Sequence, residues 1–251
     1  MSEKKRIVFN ERSVVFFIFL IALIVRGAAW FQKPLISRDG IFYLWNAGSF
    51  AWQEKQTAPP LASLLTQLVA AAHIGGLDPE IVVAAVNMIA GALLVPVVYL
   101  IAQKCELGKW GAAGAALLIA VNPLAVEVSH MVQRESLFLL FCGLALAVLP
   151  TSANTRYTVG RLAGAGGACA IAFFARFEAL EWLTLLGAVV VFQAILNRQL
   201  RRGGVALAIL LSGFLIMFII MSEMLRVPCR ESLGMFGDKV VHYFRTGFGL
   251  K

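Results

Sequence analysis

Three short stretches of the sequence combine an arginine with a carboxylate at the edge of an apolar run. They are Arg38-Asp39, Arg134-Glu135 and Arg176-Phe177-Glu178. A carboxylate can take the proton of an attacking hydroxyl, and a guanidinium group can hold a phosphate and its charge as it leaves. With an apolar groove for a lipid tail, these groups can move a sugar from a lipid phosphate to a hydroxyl. An interfacial ion pair without catalytic function would have the same sequence pattern.

The composition places these residues in a membrane protein. The chain has 251 residues, of which 60% are hydrophobic and 14% charged, and its mean hydropathy is +0.81. A soluble domain has about a quarter charged residues, whereas this chain repeats apolar runs of roughly 20 residues, the length that spans a bilayer. The net charge of +8 does not indicate a nucleic-acid partner, because the basic residues cluster in short loops between the apolar runs. That distribution is typical of cytoplasmic loops.

Seven apolar segments predict an all-α polytopic membrane protein. Several are rich in glycine and alanine, which lets helices approach closely in a bilayer. The first is interpreted as a retained signal anchor, because no small-x-small pattern closes it. The predicted spans are Val14–Phe31, Ile81–Ile101, Trp110–Val121, Ser136–Leu149, Leu162–Ala175, Leu180–Leu196 and Val205–Met221.

One further stretch, residues 59–77, decides the topology. It is apolar enough for an eighth span, but its leucine spacing is also that of an amphipathic helix lying on the membrane. If it lies on the membrane, the loops that carry Lys104, Arg161 and Arg201 all face the cytoplasm, as the positive-inside rule favours. The sequence therefore predicts a cytoplasmic N-terminus, and it brings the three arginine–carboxylate stretches to the outer face. The predicted parts are a membrane module over residues 1–222, an outer loop with juxtamembrane helices over 33–80, and an outer-face tail over 223–251.

The remaining polar residues form no recognisable motif. No HxxxH or HExxH pattern surrounds His73 or His130, so no cofactor is expected and a metal ion is the less favoured alternative. The cysteines show no CxxC spacing and are interpreted as packing residues. Arg26, inside the first span, is expected to snorkel to the outer interface. Tyr43 and its aromatic neighbours favour an interfacial belt over a sugar-stacking surface.

The order of the motifs resembles the membrane glycosyltransferases of the GT-C superfamily. The similarity is strongest to the branch of protein O-mannosyltransferases and the lipid A aminoarabinose transferase. It covers about residues 14–200. The stretches that carry it are "RDGIFYLWNA", "APPLASLL", "GALLVPVVYLIAQ", "NPLAVEVSHMVQRESLFLLF" and "ARFEAL".

This resemblance implies an inverting transferase that uses a polyprenyl-phosphate sugar at the non-cytoplasmic face. It implies Asp39 as the catalytic base, and Gly40 stands where many relatives have a second acid. The expected partners are the donor lipid, membrane lipids and a hydroxyl of a lipid, glycan or protein. The expected substrate-binding residues are Arg38, Tyr43, Pro59, Pro60, Arg134, Glu135, Arg176 and Glu178.

Two alternatives stay open at this point. Family members are usually longer, so a non-catalytic assembly subunit, or one half of a split transferase with a partner membrane subunit, fits the same sequence. A transporter or flippase of lipid-linked sugars would place charges or broken helices near the bilayer midplane. The compact chain without a retention signal favours a bacterial inner membrane.

Overall fold

The computed structural model describes residues 10–32, 40–41, 43–44, 63–149 and 159–225. All the regular secondary structure in these ranges is helical. The all-α prediction is therefore confirmed. The helices are α1 (Glu11–Gln32), α2 (Ser63–Ile74), α3 (Pro79–Lys104), α4 (Gly108–Val121), α5 (Pro123–His130), α6 (Glu135–Val148), α7 (Val159–Ala175), α8 (Ala179–Leu196) and α9 (Leu200–Met224).

The seven predicted segments are all helices, but they differ in length. By length and composition, α1, α3, α8 and α9 can each cross a membrane, and α4 with α5 makes a fifth candidate. The apolar helices α6 and α7 have only 14 and 17 residues. The chain is thus an integral membrane protein with four or five candidate spans in its described part, rather than seven of full length.

The third predicted segment continues beyond its expected end as a second, bent helix. The axes of α4 and α5 differ by 52° at a break next to Asn122. Pro123 cannot donate a backbone hydrogen bond to α4, and the Asn122 side chain accepts one from the Ala125 amide at 3.0 Å. The proline therefore ends one helix, and the asparagine caps the next.

The ambiguous stretch 59–77 contains a helix that is too short to be an eighth span. The 12 residues of α2 extend about 18 Å, whereas the apolar core of a bilayer is about 30 Å thick. One face of α2 is buried through Leu65, Val69 and Ala72. A short amphipathic helix is what the leucine spacing predicted.

Glycines allow α7 and α9 to cross at very short range. A Cβ atom added at Gly166 would lie 2.0 Å from the Leu210 carbonyl oxygen, and one added at Gly213 would lie 2.3 Å from that of Ala163. Backbone atoms cannot move aside as a flexible side chain can. The prediction that small residues mediate helix packing is thus met at this crossing.

Replacing Gly166 by alanine is expected to destabilise the protein by about 1–3 kcal/mol, because the added methyl group forces the two backbones apart. Gly164, on the same helix, is the matched control, since its Cβ would meet only Val148 Cγ1 at 3.7 Å. Gly164→Ala should leave the melting temperature unchanged or raise it, because alanine favours a helix. Thermal unfolding of the two purified variants in one detergent measures the difference. Equal melting temperatures would contradict the close crossing.

Candidate active site

The start of α6 lies well below the start of the long helix α3, because the two helices are level at their other ends and differ in length. Lys104, the last residue of α3, donates hydrogen bonds to the carbonyl oxygens of Ala147 and Leu149, the latter at 3.2 Å. The two helices are therefore level at this end. From here α3 extends over 26 residues and α6 over 14, which is about 39 Å against about 21 Å. The first residue of α6, Glu135, thus lies on the order of 18 Å below the start of α3.

An ionic cluster lies at this recessed level. Arg176 directly follows α7, and its Nη1 donates to Glu135 Oε1 at 3.0 Å. Its Nη2 and Nε donate to the two carboxylate oxygens of Glu178 at 2.9 and 3.3 Å. The guanidinium group also lies over the ring of Phe138, 5.6 Å from its centroid. The structure thus joins two of the predicted arginine–carboxylate stretches, and we refer to Arg176, Glu135 and Glu178 as the ionic cluster.

The cluster is partly accessible, and its Arg176–Glu178 pair stays charged at neutral pH. Its three side chains are 26–28% exposed. Burial by itself would raise the pKa of Glu178, but the hydrogen bond from Arg176 and the charges of Arg176 and Arg134 lower it below its ordinary value. The pKa of Arg176 is raised, first by its hydrogen bond to Glu178. The stabilisation by this pair is therefore present at neutral pH and is lost only as the pH falls through the lowered pKa of Glu178.

The two arginines of the site differ in how much of their hydrogen-bonding capacity is used. Arg176 donates to both carboxylates of the cluster, which still leaves one negative charge uncompensated. Arg134 lies close enough to lower the pKa of Glu178, but its buried Nε has no hydrogen-bond partner among the described residues. Arg134 is therefore the guanidinium group that retains a donor for a ligand, while Arg176 holds the two acids in place.

The loop that leads into Arg134 is held by a buried asparagine. Asn87, on α3, is fully buried, and its Nδ2 donates to the carbonyl oxygens of Met131 and Gln133 at 2.8 and 2.6 Å. These two bonds fix the backbone of the α5–α6 loop against α3. This role was not predicted from the sequence, although a single amide inside the apolar run of α3 was a detectable signal.

Arg26 was expected to snorkel outward, and this prediction is wrong. Its side chain is 0% exposed. Its Nη1 donates to the carbonyl oxygens of Ala120 and Ala22 at 3.0 and 3.2 Å, and its Nε donates to Ser129 Oγ at 2.9 Å. The carbonyl groups in the last turn of α4 have no helical partner, so Arg26 finds acceptors inside the bundle and need not reach the interface. Gly91 leaves room for the Arg26 side chain, since a Cβ atom at this position would lie 2.8 Å from Arg26 Nε.

Of the other predicted site residues, only Tyr43 lies in the part of the chain that the structure describes. Tyr43 is buried, 6% exposed, and its hydroxyl is close enough to contribute to the raised pKa of Arg176. The other four predicted site residues lie outside the described part of the chain: Arg38, Asp39, Pro59 and Pro60.

A separate open cavity of about 600 Å³ lies beside α2. The residues that line it include Leu44, Val69, His73, Asp78 and Glu80. The Asp78 carboxylate caps α3 by accepting from the Glu80 amide at 2.9 Å. This acid thus has a structural role, and no residue of the ionic cluster lines the cavity.

Comparison with known proteins places most of the bundle in one family. A family model described as dolichyl-phosphate-mannose-protein mannosyltransferase matches residues 57–225, about two thirds of the chain. The match includes α2 to α9 and with them Arg134 and the whole ionic cluster, and it begins after Asp39 and Tyr43. No curated protein and no solved structure matches the chain.

Proposed function

The chain belongs to the dolichyl-phosphate-mannose-protein mannosyltransferase family of GT-C membrane glycosyltransferases, and on this premise we propose which reaction its site performs. The protein transfers a sugar from a polyprenyl-phosphate donor to a hydroxyl acceptor at the non-cytoplasmic face of the membrane. The observation that carries the proposal is the recessed ionic cluster next to Arg134. A charged, partly accessible group at that depth, between apolar helices, suits a lipid whose phosphate must reach below the surface.

The donor's phosphate binds to Arg134 in this proposal. A phosphate monoester or diester accepts hydrogen bonds and carries negative charge, so it pairs best with a guanidinium group whose donors are free. Arg134 Nε is such a donor. Arg176 already bonds to Glu135 and Glu178, so its role is to position these acids and to reduce their repulsion of the phosphate.

The base of the reaction is proposed to be Asp39. Its Cα is at most about 14 Å along the chain from that of Tyr43, which packs in the same apolar cluster as Ala175, the residue before Arg176. The acceptor oxygen attacks the anomeric carbon, the bond from that carbon to the phosphate oxygen breaks, and the acceptor proton passes to Asp39. Polyprenyl phosphate leaves with the bonding electron pair, and attack opposite the leaving group inverts the anomeric carbon.

Transport is the rival function that two features of the bundle favour. The α4–α5 pair is broken, and Arg26 is a buried charge, and transporters often combine these features near their substrate sites. However, Arg26 bonds to Ser129 and to the Ala120 carbonyl oxygen in the last turn before the break. It stabilises a fixed bend, and its donors are used within the protein. Transfer therefore explains the accessible cluster better than transport does.

The proposed function is tested with the purified chain in proteoliposomes containing radiolabelled polyprenyl-phosphate mannose, glucose or aminoarabinose and a mixture of hydroxyl acceptors. We expect label in the acceptor and an equal amount of free polyprenyl phosphate. Movement of intact donor between leaflets without conversion would contradict transfer and identify a transporter. Conversion that requires a second membrane chain would identify one half of a split transferase.

A further inference from the structure

Three buried polar side-chain atoms have no hydrogen-bond partner among the described residues, and they lie in one region. They are Asn87 Oδ1, His130 Nε2 and Arg134 Nε. His130 and Arg134 begin and end the short segment between α5 and α6, and Asn87 is the residue that holds this segment. Unpartnered buried polar atoms are rare in folded proteins because each costs free energy. Three together beside the ionic cluster indicate a place where a ligand supplies the missing partners.

The chemistry of two of these atoms follows from their neighbours. His130 Nδ1 lies 3.0 Å from the Val126 carbonyl oxygen, which only accepts, so Nδ1 carries a proton, and in the uncharged imidazole this tautomer makes Nε2 an acceptor. Asn87 Nδ2 contacts two carbonyl oxygens, which fixes the orientation of the amide and makes the other atom, Oδ1, an acceptor. His130 is 7% and Asn87 0% exposed. The region therefore offers two buried acceptors and, at Arg134, one donor.

A phosphate does not satisfy this pattern alone. Its oxygens match Arg134, but they would repel the bare Nε2 and Oδ1 atoms, which need O–H or N–H donors. The sugar of a polyprenyl-phosphate donor is attached directly to the phosphate and carries hydroxyl or amino groups within a few bonds of it. We propose that His130 and Asn87 form the subsite that binds donor groups of the sugar ring, next to the phosphate held by Arg134.

This inference rests on the proposed function and makes it more specific. A subsite that accepts hydrogen bonds from a ring hydroxyl rejects an analogue that lacks it, since its own buried acceptors are then unpaired. His130 and Asn87 would thus select the sugar, while Arg134 binds any polyprenyl phosphate. Binding of the sugar and binding of the phosphate are separable by measurement.

The test compares equilibrium binding of dolichyl phosphate with that of dolichyl-phosphate mannose, glucose and aminoarabinose to the full purified chain. Wild type should bind at least one sugar-bearing lipid about tenfold or more tightly than dolichyl phosphate, the effect of one or two buried hydrogen bonds. His130→Phe should abolish this preference without changing the affinity for dolichyl phosphate. His130→Gln, which retains an acceptor, should keep part of it, and His73→Phe, at an exposed histidine of α2, should change nothing.

A folded His130→Phe protein that keeps the wild-type preference overturns the subsite, and so does a wild type that prefers no sugar. If His130→Phe does not fold, the wild type is titrated with donors that lack one ring hydroxyl each. At least one should bind about tenfold more weakly, and equal affinities for all overturn the subsite. His130-dependent binding without transfer would refute the proposed function alone, whereas transfer with unchanged preference in His130→Phe would refute the subsite alone.

Discussion

Replacement of Asp39 by asparagine is expected to lower the rate of sugar transfer by about 10²- to 10⁴-fold, the usual contribution of a general base. Asparagine has nearly the same shape and still accepts a hydrogen bond, but it cannot take the acceptor proton. Donor binding and the melting temperature should stay as in the wild type, because the substitution removes a proton acceptor and no packing. The measurement is the initial rate of label transfer at saturating donor.

Asp78 provides the matched control for this substitution. It is also an acid in the segment before α3, but its carboxylate caps that helix, a role that asparagine fulfils equally well. Asp78→Asn should therefore keep both stability and transfer. Wild-type transfer by Asp39→Asn at equal protein amounts would show that another group takes the proton.

Replacement of Arg176 by glutamine is expected to have the largest effect on stability among the site variants. Glu135 and Glu178 would lose the shared partner that now lies 3.0 and 2.9 Å from them, and two like charges would remain in a poorly hydrated place. Breaking a fully buried ion pair costs about 3–5 kcal/mol. Since these side chains are about a quarter exposed, we expect about 1–3 kcal/mol and a transfer rate at least tenfold lower.

Two further variants distinguish the loss of the specific contacts of Arg176 from the general effect of removing one positive charge. Arg176→Lys keeps the charge but loses the bidentate hydrogen bonds to Glu178, so it should be more stable than Arg176→Gln and less stable than the wild type. Arg201→Gln, an exposed residue in the first turn of α9, should match the wild type. Unchanged thermal unfolding of Arg176→Gln would mean that the cluster contributes nothing to the fold.

The apolar helices were predictable because hydropathy and turn residues act locally. The predicted segment Ile81–Ile101 corresponds to the helix Pro79–Lys104, and the predicted segment Val205–Met221 corresponds to the helix Leu200–Met224. That Arg176 and Glu135 lie at the same end of the bundle also followed from topology, since alternating helices bring the start of α6 and the end of α7 to the same side. Both inferences needed only the order of the segments along the chain.

The recessed position of the ionic cluster and the buried hydrogen bonds of Arg26 could not be predicted from local sequence patterns. The depth of the ionic cluster depends on how the short helices α6 and α7 are aligned with α3, and the contact of Lys104 with Leu149 that sets this alignment joins distant residues. Arg26 was misplaced for a related reason. The Ala120 carbonyl oxygen that accepts one of its hydrogen bonds lies in the last turn before the break at Pro123, and its position beside α1 follows only from the tertiary structure.

The central claim is that the recessed site holds the donor's phosphate through Arg134. The most direct measurement is the equilibrium affinity of the full purified chain for dolichyl phosphate, compared among wild type, Arg134→Gln and the control Arg201→Gln. We predict that Arg134→Gln binds at least about tenfold more weakly, as expected for the loss of a charge-assisted contact, while Arg201→Gln binds like the wild type. A folded Arg134→Gln protein with wild-type affinity would contradict the claim.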